Sequence, residues 1–340
     1  MTDAFEHYVA LIDYDEVLFT PMGFEAELMA EAGAGWRERR CRTADEVVEM
    51  AADAEVVVVQ SVRPLLTREV IDRLPRCRCM IRAGAGYDSI DYEYATEQGI
   101  MVCNTPTYCT DDVADHAVGL MLACVRHIPR LDAAMRQGRY ARELARPSRR
   151  IRGTTLGLIG MGRIGSTVAR NMSGWDVRVL AYDPYVPPER MREIGAESVT
   201  LDDLLAQSDF ISIHCLLSKE TYHLLSWEQF ARAKPGLILV NTARGPIIDE
   251  EALIAALKEG TVWAAGLDVT EEEPLPADSP LLELDNVILT PHVAVNTPEA
   301  TEDLYRIVCR ISADVIRGRV PEFLVNPQVL DHPRQKAAMS

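Results

Sequence analysis

The stretch Gly160-Met161-Gly162-Arg163-Ile164-Gly165 has the residue types and spacing most suited to chemistry. A G-x-G-x-x-G by itself is a weak signal. Here it follows the apolar run 155–159 and opens a helical pattern over 163–172, the strand–turn–helix context that dinucleotide binding requires. In that context Gly160 permits the tight turn, Gly162 lets the backbone approach a pyrophosphate, and Gly165 lets the helix pack on the strand. Arg163 and Ile164 then lie at the helix N-terminus, where free N–H groups and the positive dipole end favour an anion. The next strand pattern, 177–182, ends at Asp183, eighteen residues after Gly165. An acid there accepts hydrogen bonds from the ribose hydroxyls of the adenosine. A 2′-phosphate would want a cation instead, and after Asp183 no Arg or Lys occurs until Arg190. The charge favours NAD over NADP.

The elements that must hold these residues read as an alternation. Short apolar runs at 8–12, 55–59, 80–82, 101–103, 155–159, 177–182, 210–214, 237–241 and 287–290 predict strands. Most are continuous rather than alternating, as expected where both faces of a parallel sheet are covered. Helical patterns lie between them, for example 112–127 and 201–207, the latter opened by Thr200 as cap with Asp202 and Asp203 in its first turn. The class is α/β with open, doubly wound parallel sheets. Asn-Thr-Pro occurs at 104–106 and again at 296–298. Proline pushes its predecessor out of helical geometry and cannot extend a ladder, so both tripeptides read as joints. On that reading residues 105–296 form an inserted domain, 1–104 with 297–330 form the other, and the polar tail 331–340 frays.

Composition bounds the partners. The 340 residues include 35 Lys or Arg and 52 Asp or Glu, a net charge of −17, with a pI near 4.9. That balance argues against non-specific binding to nucleic acid or to an anionic membrane. A small anion would have to be met by locally placed positive groups. The basic stretches 37–42 and 146–152 lack interleaved aromatics and read as solvated or ion-paired surface. Eight cysteines are too dilute for a disulfide scaffold and show no zinc-ligand spacing, so no metal is expected. The first residues lack a signal-peptide pattern, and no apolar run approaches the ~20 residues of a membrane span. The expected location is cytoplasmic.

Six ordered blocks carry a resemblance over about residues 50–327. Beyond the nucleotide fingerprint they are Arg82-Ala83-Gly84-Ala85-Gly86-Tyr87-Asp88-Ser89-Ile90-Asp91, His214-Cys215-Leu216-Leu217-Ser218-Lys219-Glu220-Thr221, Asn241-Thr242-Ala243-Arg244-Gly245, Gly266-Leu267-Asp268-Val269, Glu273-Pro274 and Thr290-Pro291-His292. In these the sequence resembles the NAD-dependent D-isomer-specific 2-hydroxyacid dehydrogenases. The resemblance implies a flavodoxin-like substrate domain with a Rossmann NAD-binding domain inserted into it, and a homodimer formed through the 112–127 helix and the arm after it. It also implies hydride transfer between NAD(H) and a small D-2-hydroxy or 2-oxo acid.

The roles so implied agree with the chemistry. Reduction of a 2-oxo acid needs a hydride donor, a proton donor and a cation for the carboxylate and developing alkoxide. Arg244 follows the 237–241 strand, and its planar guanidinium suits a carboxylate and a keto oxygen together. His292 follows the 287–290 strand and can exchange the proton near neutrality. Within Glu271-Glu272-Glu273 the resemblance selects Glu273 as partner of His292, leaving Glu271 and Glu272 mostly solvated. A carboxylate beside the imidazole favours the imidazolium and fixes the ring. His214, Cys215, Thr242, Ala243 and Asp268, with Arg244 and His292, are expected to line the cofactor crevice, and His116 to be a core or interface residue. The backbone N–H groups of Ala85 and Gly86 are expected to receive the substrate carboxylate, with closure between domains excluding water. Where phosphoglycerate enzymes of the family tend to carry Arg immediately before the loop serine, this chain has Gln60 before Ser61 and places Arg63 later, either to reach a second anionic group or as solvated surface, so phosphoglycerate stays open but not favoured. Two other readings stay open: an NAD-sensing corepressor that binds partner peptides, and an enzyme for another small anion such as formate or phosphite.

Overall fold

The structure, a computed structural model, describes residues 5–61, 63–146 and 148–338. The chain divides into two compact units: one runs to Cys109 and resumes at Asn296, the other is Thr110–Val295. The joints expected at 104/105 and 296/297 differ from these crossings by a few residues, because 105–109 stays with the first unit.

In the first unit the strands are β1 (His7–Asp13), β2 (Ala34–Glu38), β3 (Val56–Val59), β4 (Cys79–Arg82) and β5 (Met101–Asn104). They form one parallel sheet in the order β2-β1-β3-β4-β5, the doubly wound 2-1-3-4-5 arrangement. Its central strands are buried on both faces, and Val56–Val59 is a run of four valines with no exposed face. The residues after the return from the second unit complete this unit. Asn326 accepts from the Val102 N–H with its side-chain oxygen and donates to the Ile100 carbonyl.

One expectation is corrected here. Residues 331–338 are ordered, with a short helix at Pro333–Ala338. Arg334 donates to the Pro75, Cys77 and Gln98 carbonyls, and buried Gln335 to those of Arg78 and Gly99. Polarity in this segment serves to supply donors to the carbonyls of the segments that lead into β4 and β5. Residues 339 and 340 lie outside the described residues.

In the second unit β6 (Thr155–Ile159), β7 (Arg178–Tyr182), β8 (Ala196–Ser198), β9 (Phe210–Ile213), β10 (Leu237–Asn241), β11 (Val262–Leu267) and β12 (Val287–Leu289) form a parallel sheet. Its order is β12-β11-β10-β9-β6-β7-β8, the Rossmann order extended by one strand, with the reversal between β6 and β9. Side chains alternate between two cores. Leu156, Leu158, Ile238 and Val240 enter one together with Leu120, Met121 and Cys124 of the helix Thr110–Arg126. Ile159, Leu237 and Leu239 enter the other, against Leu204, Phe230 and Leu253. Each large side chain so buried stabilises by about 1.5–3 kcal/mol, which is why both faces of these strands are apolar. β2, β8 and β11 escaped the pattern reading. β8 has only three residues, two of them exposed, and β11 reads Val-Trp-Ala-Ala-Gly-Leu, weak in strand formers.

Strand register does the positioning. Ile159 pairs with Tyr182 and with Ile213, Asn241 with Ile213 and Leu267, and Leu267 with Leu289. The five ladders joining β7, β6, β9, β10, β11 and β12 therefore end level, and the next residue of each strand lies in one row: Gly160, Asp183, His214, Thr242, Asp268 and Thr290.

Candidate active site

At the left of that row lies the glycine turn. Gly160 has φ +95°, and a Cβ there would meet the Cys215 backbone nitrogen at 2.5 Å. A Cβ on Gly165 would meet the Gly160 carbonyl oxygen at 2.1 Å, so the helix Arg163–Met172 lies directly on the turn. Packing inside the protein accounts for both. Gly162 is different, since a Cβ there would meet nothing within 4 Å. Its bareness serves no internal contact and suits an incoming pyrophosphate. Gly162 also caps the helix without a side-chain hydrogen bond, and no acid occupies the first turn beside Arg163 and Ile164. The Asp183 carboxylate accepts from the Met161 N–H at 2.8 Å and from the Tyr185 N–H at 2.9 Å, tying the end of β7 to the glycine turn. Each oxygen keeps acceptor capacity for a ribose hydroxyl.

His214 and Cys215 close the far side of this turn. Burial drives the His214 imidazole down to about 3, so the ring is neutral, and it is bonded to the Ser212 hydroxyl at 2.9 Å. Burial pushes the Cys215 thiol up to about 11 and keeps it protonated. Thr242 carries a buried hydroxyl without a hydrogen-bond partner among the described residues. These features fit a dinucleotide: an anion-ready helix start, an acid for the ribose, and an unsatisfied hydroxyl in the same row.

The residues expected to act on the substrate lie to the other side. Asn241, fully buried at the end of β10, donates to the Arg244 carbonyl at 2.9 Å and accepts from the Ala243 N–H at 3.0 Å. It thereby folds the Thr242–Arg244 turn and fixes where Arg244 leaves the sheet. Gly245 then brings this turn against the next one, because a Cβ there would lie 1.8 Å from the Thr270 carbonyl oxygen. That second turn carries Glu273.

His292 Nδ1 lies 2.8 Å from Glu273 Oε2, and both side chains are about 30% exposed. Burial pushes the Glu273 carboxyl up. The hydrogen bond and charge of His292, helped by the Thr270 N–H and by Arg244, outweigh it and hold the group below the usual carboxylate range. His292 has φ +54°, a left-handed conformation rare for a residue with a side chain. Its N–H donates to the Asp268 carbonyl at 2.8 Å. The Asp268 carboxylate, 1% exposed, accepts from the Thr290 hydroxyl at 2.6 Å and from the Val293 and Ala294 N–H groups at 2.9 Å. Asp268 thus shapes the turn that presents His292.

Three placements depart from or add to the sequence reading. Glu271 is not simply solvated: it pairs with His223 at 2.7 Å and accepts from the Glu250 N–H. The turn brings it back toward the helix Glu250–Glu259, which an acidic run alone does not disclose. Asn241 adds a positioning residue, and the polar residue that ends the run Leu-Ile-Leu-Val is the sequence signal for it. His116 reaches Thr290 from the helix Thr110–Arg126; nothing in its local sequence marks that contact.

In the first unit Ala85 and Gly86 follow β4 in a half-exposed turn. The Ala85 carbonyl accepts from the Asn104 side chain at 2.6 Å, and neither N–H has an acceptor among the described residues. Arg63 lies 3.5 Å from the buried Asp13 carboxylate and is 45% exposed. In the basic stretches, Arg37 pairs with Asp53 and Arg152 with Asp176, both at the surface.

Residues 118–294 match the family model described as D-isomer specific 2-hydroxyacid dehydrogenase, NAD binding domain. The chain is 43% identical over 285 residues to a D-3-phosphoglycerate dehydrogenase of Methanocaldococcus jannaschii, covering 84% of this chain and 54% of that protein. The chain belongs to the D-isomer-specific 2-hydroxyacid dehydrogenase family. It is also 39% identical over 298 residues to a glyoxylate reductase of Korarchaeum cryptofilum, covering 87% and 90% of the two chains. It therefore spans about half the length of the phosphoglycerate dehydrogenase and most of the glyoxylate reductase. Among solved structures, D-lactate dehydrogenase from Aquifex aeolicus complexed with NAD and lactic acid superposes with a TM-score of 0.81 at 30% identity, covering 93% of this chain and 98% of the other. The family's NAD-binding model falls on the unit that carries the glycine turn, Asp183, Arg244, Glu273 and His292.

Proposed function

We propose that the chain interconverts a small D-2-hydroxy acid and its 2-oxo acid with NAD as the cofactor. The observation that carries this reading is the His292–Glu273 pair set in the same strand-end row as the glycine turn and the Arg244 turn. The unit Thr110–Val295 serves as the NAD-binding domain, and in the other unit the N–H groups of Ala85 and Gly86 are suited to receive a carboxylate.

When bound, the nicotinamide supplies or accepts the hydride at C2 of the acid. The glycine turn with Arg163 and Ile164 holds the pyrophosphate, Asp183 takes the ribose hydroxyls, and His214, Cys215, Thr242, Ala243 and Asp268 line the crevice. Arg244 offers its fork to the substrate carboxylate and the C2 oxygen, orienting the acid and stabilising charge that develops on that oxygen. Because His292 Nδ1 faces Glu273, Nε2 is the nitrogen left for substrate. Its proton goes to the C2 oxygen in reduction and is taken from the hydroxyl in oxidation. Ionised Glu273 accepts the hydrogen bond from Nδ1–H in both states, keeping that proton on the ring, and stabilises the imidazolium.

The test is a panel of 2-oxo acids mixed with NADH and the protein, followed by loss of the reduced nicotinamide absorbance. Turnover of at least one acid is expected, and background rates on every one would overturn the reading. The names of the relatives support glyoxylate or another short 2-oxo acid as first choice. The protein is proposed to act in the cytoplasm as a homodimer. The segment after the helix Thr110–Arg126 supports the dimer, since it leaves Ile128, Met135 and Tyr140 more than half exposed.

A further inference from the structure

His116 lies on the first helix of the second unit, far in sequence from every other residue of the site. Its Nε2 is 3.0 Å from Thr290 Oγ1 and 3.5 Å from Asp268 Oδ1. The direction of the first contact follows from proton counting. Thr290 has one hydroxyl proton and gives it to Asp268 Oδ1 at 2.6 Å. Thr290 Oγ1 can therefore only accept from His116, which must carry its proton on Nε2.

The chain of donors then runs in one direction. His116 Nε2–H donates to Thr290, Thr290 O–H donates to Asp268, and the same carboxylate receives the Val293 and Ala294 N–H groups. Those two amides follow His292, whose backbone is held at φ +54°. Such a conformation persists only where surrounding contacts over-determine it. The network also joins the two ends of the unit, because the chain enters at Thr110 and leaves after Val295. Asp268 is 1% exposed and His116 is largely enclosed, with 25% of its side chain exposed, so water competes poorly for these bonds.

We propose that His116 is a positioning residue for proton transfer: by donating to Thr290 it orients the hydroxyl toward Asp268, and Asp268 in turn fixes the turn that aims His292. The proposal rests on the reading of His292 as the acid–base group. It assigns His116 no contact with substrate or cofactor, and it moves no proton during the reaction.

The variants are His116→Leu, which fills space without a donor, His116→Gln, which can return an N–H near the Nε2 position, and Thr290→Val, which breaks the relay from its other side. His116→Leu and Thr290→Val are each expected to lower kcat about tenfold with KM and NADH affinity little changed, as misplacement of one catalytic group predicts. The double variant is expected to be no worse than either single one, because both remove the same relay. His116→Gln is expected to regain most of the rate. Independently of turnover, hydrogen exchange at the Val293 and Ala294 amides is expected to quicken in His116→Leu and Thr290→Val and to remain slow in His116→Gln. Wild-type exchange at these amides in both His116→Leu and Thr290→Val overturns the proposal. So does a His116→Gln variant as slow as His116→Leu, since the role would then be packing alone. If wild-type protein reduces no 2-oxo acid, the reaction assigned above fails, and the exchange measurement still decides whether His116 holds this turn.

Discussion

His292 and His214 are both histidines at the carboxyl end of one sheet, yet their surroundings give them opposite chemistry. His292 faces an ionised carboxylate and remains partly open. His214 faces a serine hydroxyl and is held neutral by burial. Replacing His292 by Asn would remove the proposed proton donor and is expected to lower kcat by about 10²–10⁴. NADH binding, read by fluorescence titration, should stay near wild type. His214 makes a prediction about stability. Its folded value is about 3, whereas an unfolded histidine titrates near 6.5. Its contribution is therefore complete above pH 6.5 and declines as the pH falls from there toward 3. Between pH 7 and pH 5 the wild-type protein should lose about 2 kcal/mol more stability than His214→Asn, as measured by urea unfolding at each pH. An equal loss in the two proteins would contradict the neutral, buried assignment.

At the scale of elements, the site is a product of turns that follow level strand ends. Asn241 folds one turn internally, and Gly245 lets it touch the Thr270 turn. Gly245→Ala would place a methyl against a backbone carbonyl, and the two turns must separate. The expected cost is about 1–3 kcal/mol in stability, measured by thermal unfolding, together with a fall in kcat/KM as Arg244 and Glu273 move apart. Asp183 ends β7 and faces the glycine turn. Asp183→Ala is expected to weaken NAD binding more than NADP binding, so the ratio of the two dissociation constants should shift toward NADP. An unchanged ratio would contradict the ribose role.

For the whole molecule, the proposed function sets a net charge of −17 beside two anionic ligands, and it requires positive potential to be supplied locally, by a helix start, an N–H turn and Arg244. No helix among the described residues is long and apolar enough to cross a membrane. The exposed Ile128, Met135 and Tyr140 predict a second copy of the chain over that surface. Light scattering should then give twice 37.8 kDa. The pair Met135→Glu and Tyr140→Glu should shift the protein toward monomer, while a wild-type monomer at all concentrations would remove the dimer.

The sequence by itself determined what depends on local pattern. Continuous apolar runs marked both sheets, the glycine spacing with Asp183 marked the nucleotide turn, and the ordered motif blocks singled out Arg244, Glu273 and His292. These are readable because strand burial, tight turns and helix starts each leave a short-range imprint. Only the tertiary structure decided what depends on register and on contacts between distant segments. It aligned Gly160, Asp183, His214, Thr242, Asp268 and Thr290 in one row. It turned Glu271 toward His223, docked Arg334 and Gln335 onto the carbonyls that lead into β4 and β5, and brought His116 to Thr290. The physical reason is that a hydrogen bond between residues 174 positions apart leaves no periodicity in the chain. Its partners become neighbours only when the sheet between them has formed.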